Sequence, residues 1–160
     1  MKIQGVNITG GIRLIAPTPT PTGPSKLAVG AWRKNNNAGA AYIYNLDGTG
    51  EVKITASDGA ADDYFGESIA VSGTKVVVGS QYDDDLGNQS GSVYVYNLDG
   101  TGEQKITASD GASNDAFGCS VAMSDTKIVV GAQYDDNSGT DSGSVYVYNT
   151  DGTGEVKITA

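Results

Sequence analysis

Apolar and polar positions alternate along this chain in short runs that recur at a fixed spacing. Residues 94–108, YVYNLDGTGEQKITA, are nearly repeated at 42–56 (YIYNLDGTGEVKITA) and at 146–160 (YVYNTDGTGEVKITA), a period of 52 residues. Alternation at period two marks a half-buried β-strand. The Asp-Gly pairs at 47–48, 99–100 and 151–152 supply the positive φ that a tight hairpin turn needs. A second motif precedes each hairpin: KLAVG at 26–30, KVVVG at 75–79 and KIVVG at 127–131. Its continuous apolar character predicts a strand buried on both faces. A third motif lies between hairpins, with an acidic turn, Phe-Gly and a further alternating run: residues 57–72, SDGAADDYFGESIAVS, and 109–124, SDGASNDAFGCSVAMS.

The pattern predicts a unit of four antiparallel strands, at roughly 67–72, 75–80, 92–97 and 103–108 in the middle unit. One such sheet cannot bury both faces alone and must stack on its neighbours. The first unit has no Phe-Gly strand; its place is empty, or is filled by residues 12–16 or by a strand of another subunit. Three parts are expected. Residues 1–16 form an N-terminal strand or attachment segment, and 17–25 a spacer. Residues 26–160 form the three-repeat β domain. The spacer contains PTPTPTGP, which favours polyproline II and cannot join a central sheet.

Composition narrows the function. The chain has 160 residues, a net charge of -9 and no histidine. Acidity of this degree excludes nucleic acid as a partner, because phosphate binding needs clustered Lys and Arg. The lysines recur singly, at 53, 105 and 157 and at 26, 75 and 127, and are expected on solvated strand faces. Cys119 is the only cysteine, so no intrachain disulfide forms. The N-terminal residues lack the apolar core of a secretory signal, and no apolar run reaches membrane-spanning length.

Residues 65–70 (FGESIA), 76–79 (VVVG) and 91–96 (GSVYVY), with their counterparts at 117–122, 128–131 and 143–148, resemble the FG-GAP repeat. That family builds the blades of the integrin α-subunit propeller and of many microbial and phage surface proteins. The resemblance covers 26–160 and implies an all-β chain of three propeller-like blades. A threefold β-prism or β-trefoil has the same strand count and stands as the alternative. Three blades do not close a propeller, so the resemblance implies a homo-oligomer or assembly with other structural subunits.

Candidate chemistry lies in the loop after each KxxVG strand. In the middle unit it carries Tyr82, Asp83, Asp85 and Asn88; in the third, Tyr134, Asp135 and Asn137. Clustered carboxylate and amide oxygens suit Ca²⁺, which takes six to eight oxygen ligands. Integrin-type blades carry Ca²⁺ in the matching loop. Against this, the regular D-x-D-x-D-G spacing is absent, and a solvated acidic turn explains the same residues. The first unit has Arg33 and Lys34 in place of the acids and should not bind. The Asp58, Asp62, Asp63 cluster and its counterpart read as turn and cap chemistry. Tyr94 and Tyr96, like Tyr146 and Tyr148, share a strand face and are expected to pack between sheets with hydroxyls in water. Trp32, Tyr82 and Tyr134 are the candidates for exposed contact with a ligand or partner.

No His, nucleophile elbow, phosphate loop or metal-hydrolase motif is present, which argues against an enzyme. The expectation is a structural or adhesive module at an extracellular surface or in a tailed-phage virion, where it would serve as decoration, fibre or tail component anchored by its N-terminus. The alternative is a lectin-like or calcium-dependent adhesin that binds a host-surface glycan or protein.

Overall fold

The computed structural model describes residues 26–159; the expectations for 1–16 and 17–25 lie outside the described residues. The chain forms eleven strands in three antiparallel meanders. Unit 1 contains β1 (Lys26–Gly30), β2 (Ala41–Asn45) and β3 (Val52–Ile54). Unit 2 contains β4 (Ser68–Ser72), β5 (Lys75–Ser80), β6 (Ser92–Asn97) and β7 (Gln104–Ile106). Unit 3 contains β8 (Phe117–Met123), β9 (Lys127–Ala132), β10 (Ser144–Asn149) and β11 (Val156–Thr159). Each strand pairs with the next within its unit, as the repeat pattern predicts. The same pairing recurs in unit 3, where β8 carries a bulge between Phe117 and Ser120.

The units stack in series, as blades do. One core joins units 1 and 2: Ala41, Ile43 and Ile54 pack on Phe65, Val76, Val78, Tyr94 and Tyr96. The second joins units 2 and 3 through the equivalent residues, with Val77, Val93, Val95 and Ile106 meeting Phe117, Ile128, Val130, Tyr146 and Tyr148. No core joins units 1 and 3 among the described residues. A prism or trefoil requires that contact, so blade stacking is the architecture. Each phenylalanine stands edge-on to the tyrosines of its own unit, Phe65 at 5.3 Å from Tyr94 and Phe117 at 5.2 Å from Tyr146. Backbone hydrogen bonds stitch the units as well: Phe65 N–H donates to Ala38 O and Phe117 N–H to Ser90 O.

The hairpin turns are tight at the Asp-Gly pair, as expected: six residues separate β2 from β3, and Asn45 N–H donates to Thr49 O and Gly48 N–H to Asn45 O. Gly48 takes the expected positive φ, and Asp47 accepts from the Thr49 hydroxyl at 2.7 Å. One expectation needs correction: the KxxVG strands are not all buried on both faces. Only β5 is; β1 exposes Leu27 and Val29, and β9 exposes Val129. The reason is position, because among the described residues unit 2 alone has a neighbour on each side.

Candidate functional site

The loop from β5 to β6 turns back on itself, and this turn aims Asp83 inward. Gly91 N–H donates to Asp83 O at 2.9 Å, and the Ser90 hydroxyl donates to the same oxygen. Asp83 is buried beneath the loop, where it accepts from the Ser92 hydroxyl at 3.2 Å and the Tyr94 hydroxyl at 2.8 Å. Asp58, from the connection after unit 1, reaches the same Tyr94 hydroxyl at 2.8 Å. Asp85 completes the group, with one oxygen from each of Asp58, Asp83 and Asp85 lying within 4.8 Å of the others. Asp84 turns away and caps Gln89 N–H at 2.7 Å.

A lysine stands among these carboxylates. Lys105 Nζ lies 2.7 Å from Asp58 Oδ2 and 3.1 Å from Asp83 Oδ2, and pairs with Asp85. Unit 3 repeats the arrangement. Lys157 Nζ is 2.7 Å from both Asp110 and Asp135, the Tyr146 hydroxyl lies between the same two carboxylates, and Asn137 donates to Asp110 at 2.9 Å. Asp135 is buried and accepts from the Ser144 hydroxyl and Asn137 N–H.

The electrostatics follow from this geometry. Burial raises the Asp135 pKa, but Lys157, Tyr146, Asn137 and Ser144 outweigh it and hold the carboxyl down to about 2. Asp58 and Asp110 are lowered in the same way, with burial opposed by their lysine and tyrosine. Burial pulls Lys105 and Lys157 down, yet the facing carboxylates win and both stay above the ordinary lysine range. Burial and the facing carboxylates push the Tyr94 and Tyr146 hydroxyls far up, so both stay protonated as donors.

Of the expected metal ligands, Asp83 and Asp85 are brought together, as are Asp135 and Asn137. Asn88 is not; it lies on the wall of a separate groove. Asp58 and Asp110 were missed, because each precedes Gly in a motif that turn chemistry explains. Lys105 and Lys157 were expected on solvated faces, and the tyrosine hydroxyls in water. Both expectations are corrected, since these groups bond one another. Tyr96 likewise bonds Thr55 O and Glu103, and Tyr148 bonds Glu155.

The predicted contact residues separate. Trp32 and Tyr82 meet through Tyr64, with ring centroids 5.0 Å and 4.9 Å apart, and Arg33 lies 4.2 Å from the Trp32 ring. Beside them is an open groove lined by Asp62, Tyr64, Tyr82, Asp84, Asn88 and Gln89. Tyr134 is exposed and stacks on no ring among the described residues, because Ala116 stands where unit 2 has Tyr64. Tyr64 was missed for the same reason: its aromatic character is not repeated.

The family model described as FG-GAP repeat matches residues 49–96 and 101–148, more than half of the chain. The chain belongs to the FG-GAP repeat family. No curated protein matches it. FG-GAP repeats in general bind Ca²⁺. The residues of this chain do not fit that ion as they stand, since the position shared by the three carboxylates of unit 2 faces the Lys105 ammonium. Unit 1 departs further: Lys34 takes the place of Asp83 and donates to the Tyr42 hydroxyl. No helix among the described residues is long and apolar enough to cross a membrane.

Proposed function

We propose that this FG-GAP chain is a non-enzymatic structural module that works by stacking its end units on those of other subunits, a second copy of the chain first among them. One observation carries the reading. The two ends of the array present opposite halves of the interface that the chain buries twice internally. Val145 and Ile158 of unit 3 are 39% and 55% exposed, whereas their counterparts Val93 and Ile106 are 0% and 6% exposed under unit 3. At the other end, Leu27 and Val29 are exposed where Val76 and Val78 are buried under unit 1.

An apolar groove on unit 3, lined by Gly131, Gly143, Val145 and Ile158, corresponds to the surface that Phe117 and Gly118 cover on unit 2. The chain has two phenylalanines, and both are used inside it. A second copy therefore enters with the Leu27 and Val29 side of its first unit. Such a contact is head-to-tail, and it closes into a ring or extends according to its rotation. The solution mass tests this. A mass of two or more copies, rising with concentration, is expected; a monomer at every concentration removes the reading. The assembly we favour is an extracellular particle, a tailed-phage virion, with residues 1–25 as the attachment. The blade repeats and the Pro-Thr stretch support it, and mass spectrometry of purified particles checks it.

A second reading rests on the Trp32–Tyr64–Tyr82 series. Aromatic faces beside carboxylates and amides form the kind of surface that holds a glycan or protein epitope. This adhesive reading needs no calcium. Glycan-array binding that is lost in Trp32→Ala and Tyr82→Ala supports it; binding unchanged in both removes it.

A further inference from the structure

We propose that the Lys105 and Lys157 ammonium groups are the resident cations of the two carboxylate clusters, so that these units hold their connections without a metal, and that loss of either lysine opens a site for a divalent cation.

Lys105 lies on β7, Asp83 and Asp85 on the β5–β6 loop, and Asp58 on the connection from unit 1. The ammonium therefore joins three separate segments, including one from the preceding unit, which is where a bridging metal ion would sit. Lys157 does the same for Asp110 and Asp135.

Unit 1 is an internal control. There the acids are absent, Lys34 replaces Asp83, and Lys53, the counterpart of Lys105, is exposed and makes no ion pair among the described residues. The lysine is drawn in only where the carboxylates are present.

An ammonium carries one positive charge and three donors but offers no coordination position. It satisfies part of the cluster and repels a second cation, because like charges a few ångströms apart in a half-buried site are strongly unfavourable. Removing it leaves three carboxylates in unit 2, and two carboxylates with an amide in unit 3. Each cluster is flanked by a tyrosine hydroxyl and a serine hydroxyl. Such an all-oxygen set suits Ca²⁺, and its affinity rises with ligand charge.

The test uses the full chain, with Lys105→Met and Lys157→Met made singly. Melting is followed in calcium and in chelator, and Tb³⁺ emission is excited through Tyr94 or Tyr146. For wild type the same melting temperature is expected in both conditions. Each variant should melt lower in chelator and recover part of the loss in calcium. Each should bind Tb³⁺ on the order of tenfold tighter than wild type, Lys105→Met the tighter of the two. Asp58→Asn added to Lys105→Met should remove the gained emission, which separates the site from diffuse binding to an acidic surface. Should Lys105→Met fail to fold by circular dichroism, Lys157→Met in the end unit carries the same test. Calcium stabilisation of wild type overturns the proposal, as does a lysine variant that melts like wild type or gains no Tb³⁺ binding.

Discussion

A Cβ on Gly79 would run into the carbonyl oxygen of Gly118, on the next unit. At the equivalent Gly131 it would meet the Ser120 hydroxyl and Cys119 of its own unit, because no other described unit covers that face. The same substitution should therefore have two outcomes. Gly79→Ala forces unit 3 away from unit 2 and is expected to cost about 1–3 kcal/mol, the usual cost of overpacking. Gly131→Ala needs only a hydroxyl rotation and is expected to stay below that range. Chemical denaturation of both variants checks the contrast; equal losses would mean that Gly79 is not a point of close approach. Asp135 supplies a second residue-scale expectation. Its folded pKa of about 2 lies below the ordinary 3.8, so its contribution is fully present above about 4 and is lost as pH falls toward 2. Asp63 and Asp115, raised by burial, act in the opposite sense. Urea midpoints measured between pH 5 and pH 2 should fall more steeply for wild type than for Asp135→Asn. A parallel decline would remove Asp135 as a source of acid sensitivity.

At the scale of elements, alternation and repetition made the strands legible. The predicted strands in the middle unit agree with β4 to β7 to within a few residues, because Val-Tyr-Val-Tyr and Lys-Val-Val-Val leave little choice of period. The site was only half legible. Asp83, Asp85, Asp135 and Asn137 share one loop each, and local clustering pointed to them. Their partners do not: Lys105 is 47 residues from Asp58 and 22 from Asp83, and nothing in a lone lysine on an alternating strand shows which acids it will meet. The Phe-Gly motif was legible as a mark of the family, while its mechanical role appears only in the fold. Phe117 starts β8, is buried, and packs in the core between units 2 and 3. Phe117→Ala is expected to cost roughly 3–5 kcal/mol, as for other buried aromatic truncations. The loss should be uneven. Hydrogen exchange should accelerate first in β8 to β11, with β2 and β5 retaining more protection; uniform acceleration would show that the three units unfold as one.

At the scale of the whole molecule, the middle unit shows what the end units lack. β6 is buried along both faces, whereas β2 leaves Tyr42 and Tyr44 half covered and β10 leaves Val145 exposed. In a one-dimensional stack each interface adds stability between neighbours, and uncapped ends remain adhesive. The two open faces differ, so a contact between copies must join the first unit of one to the third unit of the other. That asymmetry makes a decisive experiment possible. Leu27→Asp with Val29→Asp blocks the first face, and Val145→Asp with Ile158→Asp blocks the last. Each blocked chain is expected to be monomeric and to melt close to wild type, since the four side chains are already exposed. Mixed in equal amounts, the two variants still hold one good first face and one good last face between them. They should form a dimer and stop there, whereas wild type continues to a ring or a longer array. Sedimentation of the mixture distinguishes the cases. A mixture that stays monomeric, or a single blocked variant that still dimerises, would show that the copies do not meet through these faces.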